Sequence, residues 1–282
     1  MVPSAPFSAA DPAERPDRLA ERLHAGELLV FSGLQSVERL VRAARDHADA
    51  AFAPHDIVTA ETELSADDFR ARAPDARRAV MRDPRIGGLW AEVLAGLGFV
   101  AQEIFGDRLV LRIQPSSPTL RSRRSAPLPP HRDSWGSRIS AQVNWWLPVL
   151  PLADGRTMLI WPGWFDRPVA NTSGTWSLEA AKATADGPLL PATMVAPPLR
   201  DALPVLLEPG QLLGFSAAHL HASQDNRTGL PRVSLDTRTV WLPDLRAGRG
   251  APNVDGAPGE AQWSWFVRLS DGRSLTACAA GG

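Results

Sequence analysis

The chain has one cysteine, no tyrosine and no surplus of basic residues. The lone Cys278, close to the C-terminus, excludes an intrachain disulfide framework and any cysteine-rich zinc or iron–sulfur site. Such sparing use of cysteine suits a reducing cytoplasm. Without tyrosine there is no phenol to serve as an acid, a radical carrier or a ligand. Thirty Lys and Arg against 31 Asp and Glu leave a formal charge of −1, which argues against a nucleic-acid binder. No apolar run approaches the roughly eighteen residues of a membrane span. The opening MVPSAPFSAADPAERPDR lacks the basic start and apolar core of a signal peptide. Internal repeats and low-complexity tracts are absent too. What remains is 282 residues of ordinary globular composition, 44% hydrophobic and 22% charged, enough to build one substantial core.

The hydrophobic period changes once along the chain. After a Pro- and Ala-rich arm (1–16), helical spacing runs over Asp17–Ala25, over Ser36–Phe52 with Ser36 as N-cap, over Asp67–Arg78 and over Arg85–Phe105. Leu28–Phe31 reads as a short buried strand between two of these helices. From Asp107 the period is two: Leu109, Leu111 and Ile113 alternate with polar neighbours, and further strands are expected over Ile139–Val149, Arg156–Trp161, Val205–Glu208, Gln211–Ser216 and Arg232–Leu242. A helix is expected to start at Ser177, and Gln262–Leu269 adds an edge element. The pattern predicts a mainly β fold with a helical flank, an antiparallel barrel or jelly roll. A single catalytic domain over 1–282 is expected, with a helical flank (1–106), a β-barrel core (107–242) and a C-terminal extension (243–282). His24, His47 and His55 are read as surface or structural histidines.

The chemistry gathers at His131-Arg132-Asp133. In extended backbone residues i and i+2 point to one side, so an imidazole and a carboxylate are offered together. Protein kinases also carry this tripeptide, with an asparagine five residues after the aspartate and an Asp-Phe-Gly beyond. Here Arg138 holds the asparagine position and Asp-Phe-Gly is absent, so that meaning drops out. A distal histidine would complete a set of two imidazoles and a carboxylate, donors suited to iron(II), and both His219 and His221 are candidates. Arg232 and Ser234 share one face of the strand after them, and a guanidinium fork with a hydroxyl suits the far carboxylate of a 2-oxo acid. Gln142, Asn144 and Trp146 share the second face of their strand. There they either bind the cosubstrate or wall a pocket, or simply fill the barrel. The loop before the tripeptide carries Arg121, Arg123 and Arg124. These and Arg132 are either solvated surface or readers of an anionic group on the substrate.

The stretches PPHRDSWGS, QVNWWLPV, FSAAHLHAS and NRTGLPRVSLDTRTV resemble the iron(II)/2-oxoglutarate-dependent dioxygenases, in particular their phytanoyl-CoA dioxygenase-like branch, over residues 107–242. The resemblance implies a double-stranded β-helix of cupin-like form. It implies His131, Asp133 and His221 as metal ligands, and Arg232 with Ser234 as the 2-oxoglutarate clamp. Arg232 stands eleven residues past His221, the spacing the family uses, which leaves His219 a supporting role. Halogenating members carry a small residue in place of the aspartate, so Asp133 implies hydroxylation or another C–H oxidation, with succinate and carbon dioxide as coproducts. The expected partners are dioxygen and a small polar substrate, with neither nucleic acid nor membrane. A cupin-type metal-dependent isomerase or hydrolase would need the triad without the clamp. A non-catalytic ligand-binding barrel would need neither in working order.

Overall fold

Local signals start and stop the first helices. α1 (Pro16–His24) opens on a proline and ends before Gly26, whose φ of +95° suits glycine alone. α2 (Gln35–Phe52), the single turn α3 (Ala60–Glu63) and α4 (Ala66–Arg82) follow, and the Ser65 hydroxyl caps α4 by accepting the Asp68 amide. Asp83 caps α5 (Pro84–Gly96) through the Arg85 amide. The computed structural model describes residues 7–183, 187–256 and 259–279.

The strands form two sheets. In the large one β1 (Phe7–Ala9), β2 (Leu28–Phe31), β3 (Ile104–Gly106), β4 (Val110–Gln114), β5 (Gln142–Pro148), β8 (Leu212–Ser216), β10 (Arg232–Trp241) and β11 (Val267–Arg268) run in the order β1-β2-β8-β5-β10-β3-β11, with β4 also paired to β10. All of these pairings are antiparallel except β1 with β2. The small sheet is β7-β6-β9, from β7 (Leu203–Pro204), β6 (Met158–Ile160) and β9 (His221–Ser223).

Alternation along β5 and β10 decides what each face meets. Val143, Trp145, Leu147, Val233 and Leu235 point to the helices and join their apolar stripes in one core. Across the other face Leu28, Trp146, Leu213 and Phe215 of the large sheet pack on Met158 and Ile160 of the small one, with Val205 and Leu207 beside them. The layers are therefore helices, large sheet and small sheet, a jelly roll with a helical flank. Among the described residues hydrogen bonding does not close the two sheets into one barrel. None of the described helices is long and apolar enough to cross a membrane.

Several expected boundaries move. The apolar run Arg85–Phe105 is two elements: the helix stops at Gly96, Gly98 turns the chain at φ +81°, and Ile104–Gly106 pairs with β10. A buried strand and a buried helix face look alike when every residue is apolar. Phe7–Ala9, expected in a loose arm, is an edge strand; residues 1–6 lie outside the described set. The expected strand at 205–208 falls instead at Leu203–Pro204, though the Val205 amide still reaches the Met158 carbonyl at 2.9 Å. Gln35 already begins α2, so Ser36 lies inside the helix and is not its cap. His24 is buried, with Nε2 3.0 Å from Asp244 Oδ2, rather than on the surface.

Gly214 faces Trp145 across the β5–β8 pair, and a Cβ there would lie 2.9 Å from the indole. That ring is already wedged among Phe31, Trp90 and Phe99. Gly214→Ala should therefore destabilise the protein by about 1–3 kcal/mol, read as a lower Tm. An unchanged Tm would mean that the ring gives way freely.

Candidate metal centre

His131 and His221, ninety residues apart, meet as an antiparallel pair. The His131 amide donates to the His221 carbonyl at 2.9 Å, and the His221 amide returns the bond at 3.0 Å. Directly paired residues put their side chains on one face, and the two rings lie 4.2 Å apart between centroids. Nδ1 of His131 is 2.8 Å from the Pro129 carbonyl, and Nδ1 of His221 is 3.0 Å from the His219 carbonyl. A carbonyl oxygen accepts only from N–H, so each Nδ1 carries the proton and each Nε2 keeps a lone pair for a metal. Burial, with His131 alongside, pushes His221 down to about 3, which keeps it neutral.

Asp133 arrives by a different route from the extended spacing. Its backbone is helical (φ −65°, ψ −28°), because the chain turns into the short α6 (Ser134–Ser137) straight after His131. The turn still brings Oδ1 to 3.6 Å from His131 Nε2. Burial alone would raise its pKa. The contact with His131 and the positive charge of the Arg238 guanidinium outweigh that and hold the carboxyl well below the usual range. Asp133 Oδ2 accepts from Asn144 Nδ2 at 2.8 Å, and Asn144 Oδ1 accepts from Gln142 Nε2 at 2.8 Å. Gln142 and Asn144, candidates for binding the cosubstrate, are thus arranged to orient the carboxylate. The donor atoms of His131, Asp133 and His221 lie within 4.8 Å of one another, close enough to share one ion. The donor set fits a divalent metal with open positions left over. No other set of three or more His, Cys, Asp or Glu side chains converges in this way among the described residues.

His219 faces elsewhere. A turn from Ser216 interrupts the extended chain, so its ring nitrogens lie 3.2 Å from the Ser216 carbonyl and 3.1 Å from the Gly26 carbonyl. Burial takes it down to about 4.

Beyond the triad, Arg232 is 3% exposed and forms no ion pair with a carboxylate among the described residues. Nη1 donates to the Thr157 carbonyl at 3.0 Å, while Nε is buried with no partner. Burial and the nearby Arg112 guanidinium push it down to about 9, against a smaller opposing effect of the Asp236 carboxylate. The buried hydroxyl of Ser234 is likewise unpartnered. Arg238, on the same face, is paired with Asp107 and lies over Trp265.

Neither a protein-family model nor a curated protein matches the chain. Solved structures do match over most of its length. One is the non-heme monooxygenase ThoJ, 17% identical, with 91% of this chain and 85% of that one covered at TM-score 0.49. Another is SnoN, a non-heme alpha ketoglutarate dependent epimerase from nogalamycin biosynthesis, 18% identical over 90% and 97% of the two chains at TM-score 0.41. A third is EctD from S. alaskensis, 15% identical over 92% and 89% at TM-score 0.43.

The remaining sequence candidates are engaged elsewhere. Arg132 points away from the metal site, its donors used by backbone carbonyls of Trp164, Phe165, Arg167 and Ala218. Arg121 binds the Ser116 and Asn226 carbonyls and pairs with Asp225, and Arg123 holds the Ala181 and Gly187 carbonyls. Of the three arginines in that loop, only Arg124 is exposed. Trp146 fills the space between the sheets instead of walling an open pocket. Two contributors carried no signal in the sequence: Phe215, whose ring stands edge-on to His221 at 5.2 Å, and Asp255.

Proposed function

We propose that the chain is a non-haem iron(II)/2-oxoglutarate-dependent dioxygenase of the phytanoyl-CoA dioxygenase-like kind, hydroxylating a small polar molecule. The observation that carries this reading is Arg232: a buried guanidinium with no ion pair among the described residues, beside an unpartnered Ser234 hydroxyl, in the interior that also holds the triad. A dicarboxylate bound to the metal at one end would satisfy both groups at the other. A cupin-type isomerase or hydrolase has no use for that clamp.

His131, Asp133 and His221 hold the ion, Asn144 and Gln142 orient the Asp133 carboxylate, and Arg232 with Ser234 receives the distal carboxylate. The apolar layer between the sheets keeps water out. When bound, iron and 2-oxoglutarate with dioxygen supply the oxidising power, and succinate and carbon dioxide are the coproducts. The carboxylate at Asp133 supports hydroxylation over halogenation. With Arg121, Arg123 and Arg132 engaged by carbonyls, little is left to support an anionic substrate.

Anaerobic addition of iron(II) and 2-oxoglutarate should produce the weak visible charge-transfer band of the chelate. Folded protein that binds the metal but shows no band would favour a cupin-type enzyme instead. Succinate release across a panel of polar metabolites then addresses the substrate.

A further inference from the structure

We infer that Asp255 is a positioning residue of the metal centre: a buried carboxylate that holds Arg132 and Trp135 on either side of Asp133, and so sets how Asp133 meets His131. This rests on the metal centre proposed above and not on the identity of the cosubstrate.

The bend at Asp133 is what delivers its carboxylate: the Gly136 and Ser137 amides close on the Asp133 carbonyl at 3.0 Å each, and the Ser134 amide reaches the Ala217 carbonyl at 3.1 Å. α6 is four residues long and Asp133 makes no side-chain cap bond to it. One turn of helix does not stand alone in water. Side-chain support comes from Asp255, 122 residues further on and 4% exposed at its side chain. Its Oδ2 forms an ion pair with Arg132, 3.1 Å from Nε without hydrogen-bond alignment, and accepts the Trp135 indole N–H at 2.8 Å, while Oδ1 accepts the Val169 amide at 2.7 Å. Residues 132 and 135 flank the ligand, so one carboxylate grips the turn from both ends.

Arg132 carries the restraint onward. Nη1 donates to Phe165 at 2.9 Å and Ala218 at 2.6 Å, and Nη2 to Trp164 at 2.8 Å and Arg167 at 2.7 Å. Ala218 lies three residues before His221, so the same guanidinium ties the Asp133 turn to the approach to the third ligand. Two backbone bonds keep the Asp255 segment in place: the Ala251 amide to the Ser140 carbonyl at 3.0 Å, and the Gln262 amide to the Ser137 carbonyl at 2.8 Å. A ligand turn held through outer hydrogen bonds is how proteins commonly tune a metal site.

Cobalt(II) titration of the metal-free full-length chain, followed by its visible ligand-field bands, tests the inference alongside thermal melts. Asp255→Asn should weaken cobalt(II) binding roughly ten- to a hundredfold and alter the bands, and Asp255→Glu should recover part of the affinity. Asp244→Asn is the control, since the Asp244 carboxylate is equally buried but, among the described residues, bonds only His24 and Arg249. It should lower Tm without changing the affinity or the bands. Should neither Asp255 variant fold, Trp135→Phe removes one donor, and a few-fold weaker affinity is expected. Wild-type affinity and bands in Asp255→Asn, or in Trp135→Phe if that variant must serve, would overturn the inference and leave the metal centre standing. Failure of the wild-type chain to bind cobalt(II) would remove both.

Discussion

His221→Ala is expected to abolish stoichiometric iron(II) binding, while His219→Ala keeps it. The two histidines are two residues apart, yet the turn after Ser216 sends their rings to different places. His221 has a free Nε2 facing His131 and Asp133; His219 has both nitrogens against backbone carbonyls, with the Phe165 ring 4.6 Å away. Losing one of three ligands leaves two donors, too few to hold the ion against water, and His131→Ala and Asp133→Ala should behave like His221→Ala. Removing the His219 ring costs packing instead, about 2–5 kcal/mol for a large buried side chain. Calorimetric titration with iron(II) under anaerobic conditions separates the two effects. Metal loss in His219→Ala together with retention in His221→Ala would reverse the assignment.

Arg232→Met should eliminate 2-oxoglutarate binding without weakening the metal-free fold. Two charge-assisted hydrogen bonds at about 1.5–3 kcal/mol each correspond to a loss of at least a hundredfold in affinity. The fold responds in the opposite direction, because the guanidinium is buried without a direct ion-pair partner among the described residues and methionine replaces it with an apolar chain of similar length. The sign of the pH effect follows from its pKa of about 9 against an ordinary 12.5. Below about pH 9 the side chain is charged in both folded and unfolded states, and the folded state bears the full penalty. The penalty fades only as the pH rises through that value. Arg232→Met should therefore melt higher than wild type by a constant margin between pH 6 and 8. Saturating 2-oxoglutarate with the metal should raise the wild-type Tm and leave the variant's unmoved. A variant still stabilised by 2-oxoglutarate would place the clamp on other residues.

Much of this site is legible residue by residue. The alternation along Gln142–Pro148 and Arg232–Trp241 already separates an apolar face from one bearing Gln142, Asn144, Arg232 and Ser234, and the folded protein keeps that division. Other readings fail for an identifiable cause. Arg132 looks free in the sequence because nothing there shows the four carbonyls that surround it. Asn144 looks like a cosubstrate contact because its partner, Asp133, comes to it only through the turn of α6. The helix expected over Arg85–Phe105 ran too far because apolar residues continue past the turn at Gly98 into Ile104 and Phe105, and a short buried strand there looks like one more helix face.

The sequence by itself determined the donor types, the shared face of Arg232 and Ser234, and the change from helical to strand period, since these depend on residues near one another along the chain. Which donors remain free for a ligand was decided only by the tertiary structure. A side chain's hydrogen-bonding capacity is used up by whatever the fold brings to it, and those partners come from distant segments: the Pro129 and His219 carbonyls select Nε2 on the two histidines. Asp255 claims Arg132, and among the described residues only the Thr157 carbonyl accepts from the Arg232 side chain.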